Sequence, residues 1–168
     1  MSGPSLRAFS YVAGISEGRT EQFVMWAAVW ATLCAGLFAG AAVYVNAVEH
    51  PARLSCGADV ALREFGPSYR RATVMQASLA IAGCVLGLWS AWVYNDVWLA
   101  SGAVLLGSVV PFTLVIMWPT NRQLVDPALD PGSQRATQLL IRWGRLHAVR
   151  SALSSAAFLI LLLRLVRL

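Results

Sequence analysis

Lysine is absent from this sequence, and all 13 of its basic side chains are arginine. Charge of either sign is scarce, at 12% of 168 residues, against about 25% in an ordinary soluble domain. A water-soluble surface needs roughly a quarter to a third charged residues, so an ordinary soluble globular enzyme is excluded. Disorder is excluded too, because it needs low hydrophobicity and high net charge, and 58% of this chain is hydrophobic. The three cysteines, at 34, 56 and 84, are isolated and form no C-x-x-C, which removes thiol–disulfide chemistry and a cysteine-based zinc site. Repeats, low-complexity tracts and linkers are also missing, so one domain over 1–168 is expected. The net charge of +5 invites a nucleic-acid reading. Without a soluble basic face no nucleic-acid partner is expected, and arginines at membrane boundaries explain the charge more simply.

What is present instead is length without charge. Gln22 to Val48, Ala72 to Asn95 and Val97 to Asn121 carry no charged residue, in runs of 24 to 27 residues. About 20 apolar residues in a helix cross the hydrocarbon core, so these runs predict three membrane spans. The last apolar run, Ser151 to Leu163, has only 13 residues. Extended back to Trp143 it becomes a fourth span, and the extension carries His147 and Arg150 into or near the bilayer. The expected fold is all-α, an integral membrane four-helix bundle with spans of about 23–48, 73–94, 97–118 and 143–165 and a polar tail over 1–22.

Tyr94-Asn95-Asp96-Val97 joins spans two and three as a tight turn, for which Asn and Asp suit by hydrogen-bonding their own backbone. The other two connections, Glu49 to Arg71 and Pro119 to Arg142, read as long loops. The long-loop side carries eight arginines and the turn side four (Arg7, Arg19, Arg164 and Arg167). The positive-inside rule then puts the long loops in the cytoplasm, with a bacterial inner membrane as the expected location. Gly36-x-x-x-Gly40 in span one and Gly83-x-x-x-Gly87 in span two are motifs of close helix packing in lipid, mainly within the bundle, with homo-oligomer contact as the other use. Pro111 predicts a kink in span three. Six tryptophans read as an interfacial belt; Trp143 stands apart.

Polar residues gather at the long-loop ends of the spans. Asn46, Glu49 and His50 close span one, with Pro51 as a stop signal. Gln76 lies one turn into span two, and Asn121 and Gln123 follow Pro119. Trp143, His147 and Arg150, spaced by four and three, form one helical stripe. The only two histidines of the chain belong to this set. An ionisable residue in a span is by default a functional candidate, and polar groups converging between apolar walls are the usual form of a small-molecule site. Each also has a structural reading: Arg150 as an ion-pair partner of Glu49, His147 as a helix-end residue, Asn46 as interhelical glue, and Asn121 as a cap. On the turn side, Asn95 and Asp96 are explained as turn residues.

The motifs Asn46-Ala-Val-Glu-His50-Pro51, Pro111-Phe-Thr leading to Asn121-Arg-Gln-Leu124, and Trp143-x-x-x-His147-x-x-Arg150 resemble those of the anthrone oxygenase-like family of small four-span membrane proteins, from about Phe23 to Leu163. The resemblance implies oxidation of an anthrone, or another phenolic or polyketide substrate, by O2 with no metal or organic cofactor. Such chemistry needs a base to form an electron-rich anion. Histidine titrates near neutral pH, so His147 is the first candidate and His50 the second. Arg150 would stabilise the developing oxyanion. Asn46 and Asn121 would bind substrate oxygens, Trp143 would wall a flat ring, and Glu49 would orient a histidine. A second function class is a non-catalytic membrane protein holding a lipid or quinone-like headgroup, met by the donor fork of Arg150. Metal or haem binding by His50 and His147 is a third, opposed by the lack of an H-x-x-x-H pair and the scarcity of carboxylates. Besides bilayer lipid, the expected partner is a small aromatic or lipid-like molecule.

Overall fold

In a bilayer every backbone N–H and C=O must find a partner within the chain, and a helix does this locally. Each charge-free run accordingly falls almost wholly within one longer helical stretch. The computed structural model describes the backbone from Pro4 and the side chains from Gly18 to Leu168; the polar tail expected over 1–22 is, from Pro4 on, the first part of a helix continuous with the first span. The long helices are α1 (Pro4–Tyr44), α3 (Ala58–Tyr94), α4 (Val97–Phe112) and α6 (Gln134–Leu165); α2 (His50–Ser55) and α5 (Trp118–Leu124) are short extensions. No strand occurs among the described residues. Four helical stretches, Gly18–Ser55, Ala58–Tyr94, Val97–Leu124 and Gln134–Leu165, are long and apolar enough to cross a membrane.

Two departures from the sequence reading matter for the site. The first concerns proline. Pro51 was expected to end the first helix, yet the chain stays helical to Ser55. A widened π-type segment, Val45–Glu49, precedes it, and the His50 N–H reaches back five residues to the Val45 carbonyl. A second π-type segment, Thr113–Met117, stands in the same relation to Pro119. A proline ring clashes with the carbonyl four residues back and offers no N–H; widening the preceding turn relieves both problems. The second departure concerns the stretch from Glu49 to Arg71, which is not a loop. Only a corner at Cys56–Gly57 interrupts the helix, and Gly57 takes φ +90°, a backbone region open to glycine.

The turn at Asn95–Asp96 forms as expected. Asn95 closes α3 in the left-handed region at φ 49°. Asp96 caps α4, its Oδ1 accepting from the N–H groups of Trp98 at 2.9 Å and Leu99 at 3.1 Å. Ser133 caps α6 by accepting from the Ala136 N–H.

The four long helices form a square, with α1 and α4 each packed between α3 and α6. Two glycines set the spacing. A Cβ on Gly83 would lie 2.6 Å from Leu106 Cδ2, and one on Gly87 2.8 Å from the Ala103 Cβ, so the second small-residue motif works inside the bundle. In the first motif a Cβ on Gly36 would lie 3.0 Å from the Phe158 ring, whereas one on Gly40 would meet nothing within 4 Å. Two apolar cores result. One, towards the Asn95–Asp96 turn, is aliphatic and alanine-rich around Phe38, Leu99, Leu106 and Leu161. The other, at the opposite end, contains Phe65, Met117, Leu140 and Trp143. The outer face is apolar, as lipid contact requires. Six of the seven tryptophans are exposed, and Trp143 alone is buried, at 7%.

Candidate functional site

The stripe Trp143, His147, Arg150 faces inwards from α6, and all three side chains are buried. A small cavity, about 30 Å³, lies against them between Val45 and Glu49 on one side and Phe65, Tyr69 and Gln76 on the other.

His147 is oriented by the π-type segment that follows α1. The Asn46 amide nitrogen donates to the Gly144 carbonyl at 3.2 Å, an acceptor only, so its Oδ1 faces the other way. That oxygen meets His147 Nδ1 and lies 3.1 Å from Ser151 Oγ. His147 Nδ1 must therefore carry the hydrogen, and in the neutral ring Nε2 keeps its lone pair. Among the described residues Nε2 has no hydrogen-bond partner. Asn46 makes these contacts from within the π-type segment. Residues 46 and 50 share a helix face in an ordinary α-helix, and here too both face α6: Asn46 meets Gly144, His147 and Ser151, and His50 meets Trp143 and Gly144.

Arg150 is 9% exposed. Its Nη2 donates to Gln76 Oε1 at 2.7 Å, and its guanidinium carbon stands 5.4 Å from the Phe38 ring centroid. Its Nε has no partner. The expected alternative, an ion pair with Glu49, does not form: Glu49 pairs with Arg53. Among the described residues the arginines in ion pairs are Arg53, Arg63 and Arg164. Arg150 is therefore a buried cation whose protein partner is a neutral amide.

His50 is buried but does not line the cavity. Its ring packs on Trp143 at 5.1 Å between centroids, and Trp143 packs on His147 at 4.7 Å. Neither His50 ring nitrogen makes a well-formed hydrogen bond, although the Leu140 carbonyl lies beside the ring. A Cβ on Gly144 would come within 2.6 Å of His50 Nε2, so the absence of a side chain at 144 is what admits the imidazole. Trp143 Nε1 is buried and unpartnered. Asn121 lies outside the cavity wall and reaches the site through the Tyr69 hydroxyl, 3.4 Å from its Nδ2; its Oδ1 is unpartnered. Glu49 forms part of the rim with Ser68, whose Oγ is 3.4 Å from its Oε1. Arg53 joins Glu49 to Glu64. Gln123 turns away, accepting from Arg135 at 2.8 Å.

The structure thus brings Asn46, Trp143, His147 and Arg150 together, sets Glu49 at the rim, and holds His50 and Asn121 one contact further out. Sequence reasoning passed over Phe65, Tyr69, Arg53 and Gly144. The first three lie in a segment read as loop. Helical spacing from Phe65 through Tyr69 to Gln76 was the available signal. No three His, Cys, Asp or Glu side chains converge as a metal-ligand set among the described residues.

A second, apolar cavity of about 60 Å³ adjoins the first and shares Thr73, Gln76 and Arg150 with it. It lies beside Val109, Val110 and Thr113, at the end of α4, which stays helical through Pro111, and the start of the π-type segment.

Comparison with known proteins adds three findings. The family described as Anthrone oxygenase matches residues 65–160, a stretch holding Trp143, His147, Arg150 and the Phe65–Gln76 wall. A protein named anthrone oxygenase tpcL, from Aspergillus fumigatus, is 30% identical over 132 residues, covering 72% of this chain and 81% of that one. Another named anthrone oxygenase ptaC, from Pestalotiopsis fici, is 31% identical over 121 residues, covering 60% and 83%. No solved structure matches.

Proposed function

Because this chain belongs to the anthrone oxygenase family, we propose that it is a membrane oxygenase acting on an anthrone-like or other acidic phenolic substrate with O2 and without a metal or organic cofactor. The observation that carries this reading is the buried, carboxylate-free guanidinium of Arg150 beside a histidine whose ring is held with Nε2 free. A buried cation without a counter-charge is costly, and a substrate oxyanion is the partner it lacks.

The chemistry proceeds from the acid C–H of the substrate. His147 Nε2 takes that proton, and the electron pair spreads to the conjugated oxygen, which becomes phenolate-like and is stabilised by Arg150. The anion is electron-rich enough to reduce O2 itself. One electron passes to O2, the radical pair forms a C–O bond, and a hydroperoxide results. Loss of the second C–H proton with O–O cleavage leaves a carbonyl and water, so that CH2 and O2 become C=O and H2O. Trp143 and Phe65 supply flat apolar walls. Asn46 positions His147, His50 and Glu49 act behind and at the rim of the cavity, and Asn121 acts through Tyr69. A cavity of about 30 Å³ has the room of about one water, so a polycyclic substrate enters by parting the Val45–Glu49 segment from the Ser68–Thr73 face of α3.

The whole chain is read as a single membrane domain. We place the arginine-rich ends in the cytoplasm of a bacterial cell, with the inner membrane as host; the arginine bias supports the orientation, and reporter fusions at the C-terminus test it.

The deciding experiment replaces His147 by Ala or Gln and measures oxygen uptake on an anthrone. Loss of uptake by about 10²–10⁴-fold is expected of a general base. Unchanged uptake removes His147 from the mechanism. A wild type that consumes no oxygen on any phenol but co-purifies with lipid favours the non-catalytic binding reading.

A further inference from the structure

The second cavity differs from the first in every respect that selects an occupant. Its volume, about 60 Å³, exceeds the ~30 Å³ share of a liquid water and is well below the ~150 Å³ cavity that takes benzene. Its walls are Phe38, Ala77, Val109, Val110 and Leu114, with Arg150 at the inner end. Two of the polar groups at its edge are engaged: the Thr113 hydroxyl donates to the Val109 carbonyl at 2.7 Å, and Gln76 Oε1 accepts from Arg150. Free polar atoms gather where the two cavities meet, at Arg150 Nε and Thr73, and the rest of the wall is hydrocarbon, which gives a resident water none of the two to four partners it needs. Its outer wall includes Thr73 and Leu114, both exposed on the lipid-facing surface between α3 and α4. The first cavity, by contrast, opens past Glu49, Arg53 and Ser68, a charged rim.

We propose that this apolar cavity is the oxygen chamber of the enzyme: O2 enters it from the bilayer between α3 and α4 and meets the substrate across Arg150, while the aromatic substrate occupies the polar-rimmed cavity. This rests on the oxygenase reading above. O2 is an apolar diatomic that fits the volume and dissolves better in hydrocarbon than in water. Because both cavities touch Arg150, one guanidinium faces the substrate oxyanion on one side and the superoxide formed by electron transfer on the other.

Filling the chamber tests this. Ala77→Leu and Val110→Phe should each raise KM for O2 about tenfold, with KM for the phenol, and kcat at saturating O2, held near wild type. An unchanged KM for O2 in both variants overturns the proposal. Occupancy is also read without turnover. With 4-fluorophenylalanine at position 38, on the chamber, or at position 65, on the other cavity, O2-induced ¹⁹F relaxation should be stronger at 38, and Ala77→Leu should abolish the excess. Equal relaxation at the two positions, or an excess that survives filling, overturns it. If the wild type consumes no oxygen, the oxygenase reading fails, and the relaxation experiment alone decides whether the chamber admits O2.

Discussion

The two halves of the bundle treat buried polar groups in opposite ways. Towards the Asn95–Asp96 turn the core is alanine and leucine around Phe38, and its few polar side chains are satisfied on the spot. Thr32 donates to the Ala28 carbonyl, Ser90 to that of Leu86, and Ser154 to that of Arg150. Asp96 is both a helix cap and the ion-pair partner of Arg164. Towards the other end lie the buried atoms without hydrogen-bond partners: the ring nitrogens of His50, Trp143 Nε1, Asn121 Oδ1, Thr120 Oγ1 and Arg150 Nε. Each such atom costs about 1–3 kcal/mol. One half is therefore built for stability, and the other gives up stability to keep polar groups free. Both π-type segments belong to the second half, as insertions of this kind frequently do at functional sites.

Substitutions can break or sharpen this contrast. The largest effect on stability is expected in the stable half. Asp96→Ala removes a helix cap and strands Arg164, which should cost about 3 kcal/mol, read as a lower midpoint in thermal unfolding in detergent, with turnover at low temperature preserved. The same residue sets an acid limit. Burial pushes the Asp96 carboxyl up, but hydrogen bonds from Arg164 and from the N–H groups of Leu99 and Trp98 outweigh it and hold the group below its ordinary value. Its stabilisation is full above the unfolded carboxylate value of about 4 and is lost as pH falls through the lower folded value. Asp96→Asn should flatten this part of the stability profile.

Next comes Asn46→Ala in the site half. His147 loses the acceptor that fixes its tautomer, and kcat should fall about 100-fold, about 2.7 kcal/mol, with KM little changed. A fall in unfolding midpoint without a loss of kcat would make Asn46 structural only. Gly144→Ala pushes a methyl group into His50 and should lower kcat about tenfold by tilting Trp143, with an overpacking cost of roughly 1–3 kcal/mol. Tyr69→Phe removes the hydroxyl that Asn121 touches; a few-fold rise in KM, under about 1 kcal/mol, is expected. The smallest change is Gly40→Ala, where an added Cβ meets nothing within 4 Å. Stability should stay within about 0.5 kcal/mol, whereas Gly83→Ala should destabilise.

The contrast between the halves also marks what was legible beforehand. The four helices, the turn at Asn95–Asp96 and the inward stripe Trp143–His147–Arg150 follow from local pattern, because hydropathy and helical spacing act within one segment. The Arg150–Gln76 bond, the Asn46–His147 contact and the use of Tyr69 join residues far apart in the chain, and no local pattern encodes which helix faces which. Asp96 shows the same limit: its cap was readable from the turn, its partner Arg164 was not.

By itself, then, the amino-acid sequence determined the membrane, the number of crossings and the end of the bundle at which ionisable groups are buried, since the scarcity of charge leaves few places where charge can sit. The tertiary structure alone decided that Arg150 faces an amide instead of a carboxylate, that His147 lines a cavity with its Nδ1 held by Asn46, and that a second, lipid-side cavity ends on the same guanidinium. The physical reason is the square packing of α1, α3, α4 and α6. It closes tightly where Gly83, Gly87 and the alanines let backbones approach. It stays open where the π-type turns before Pro51 and Pro119 interrupt the regular helix.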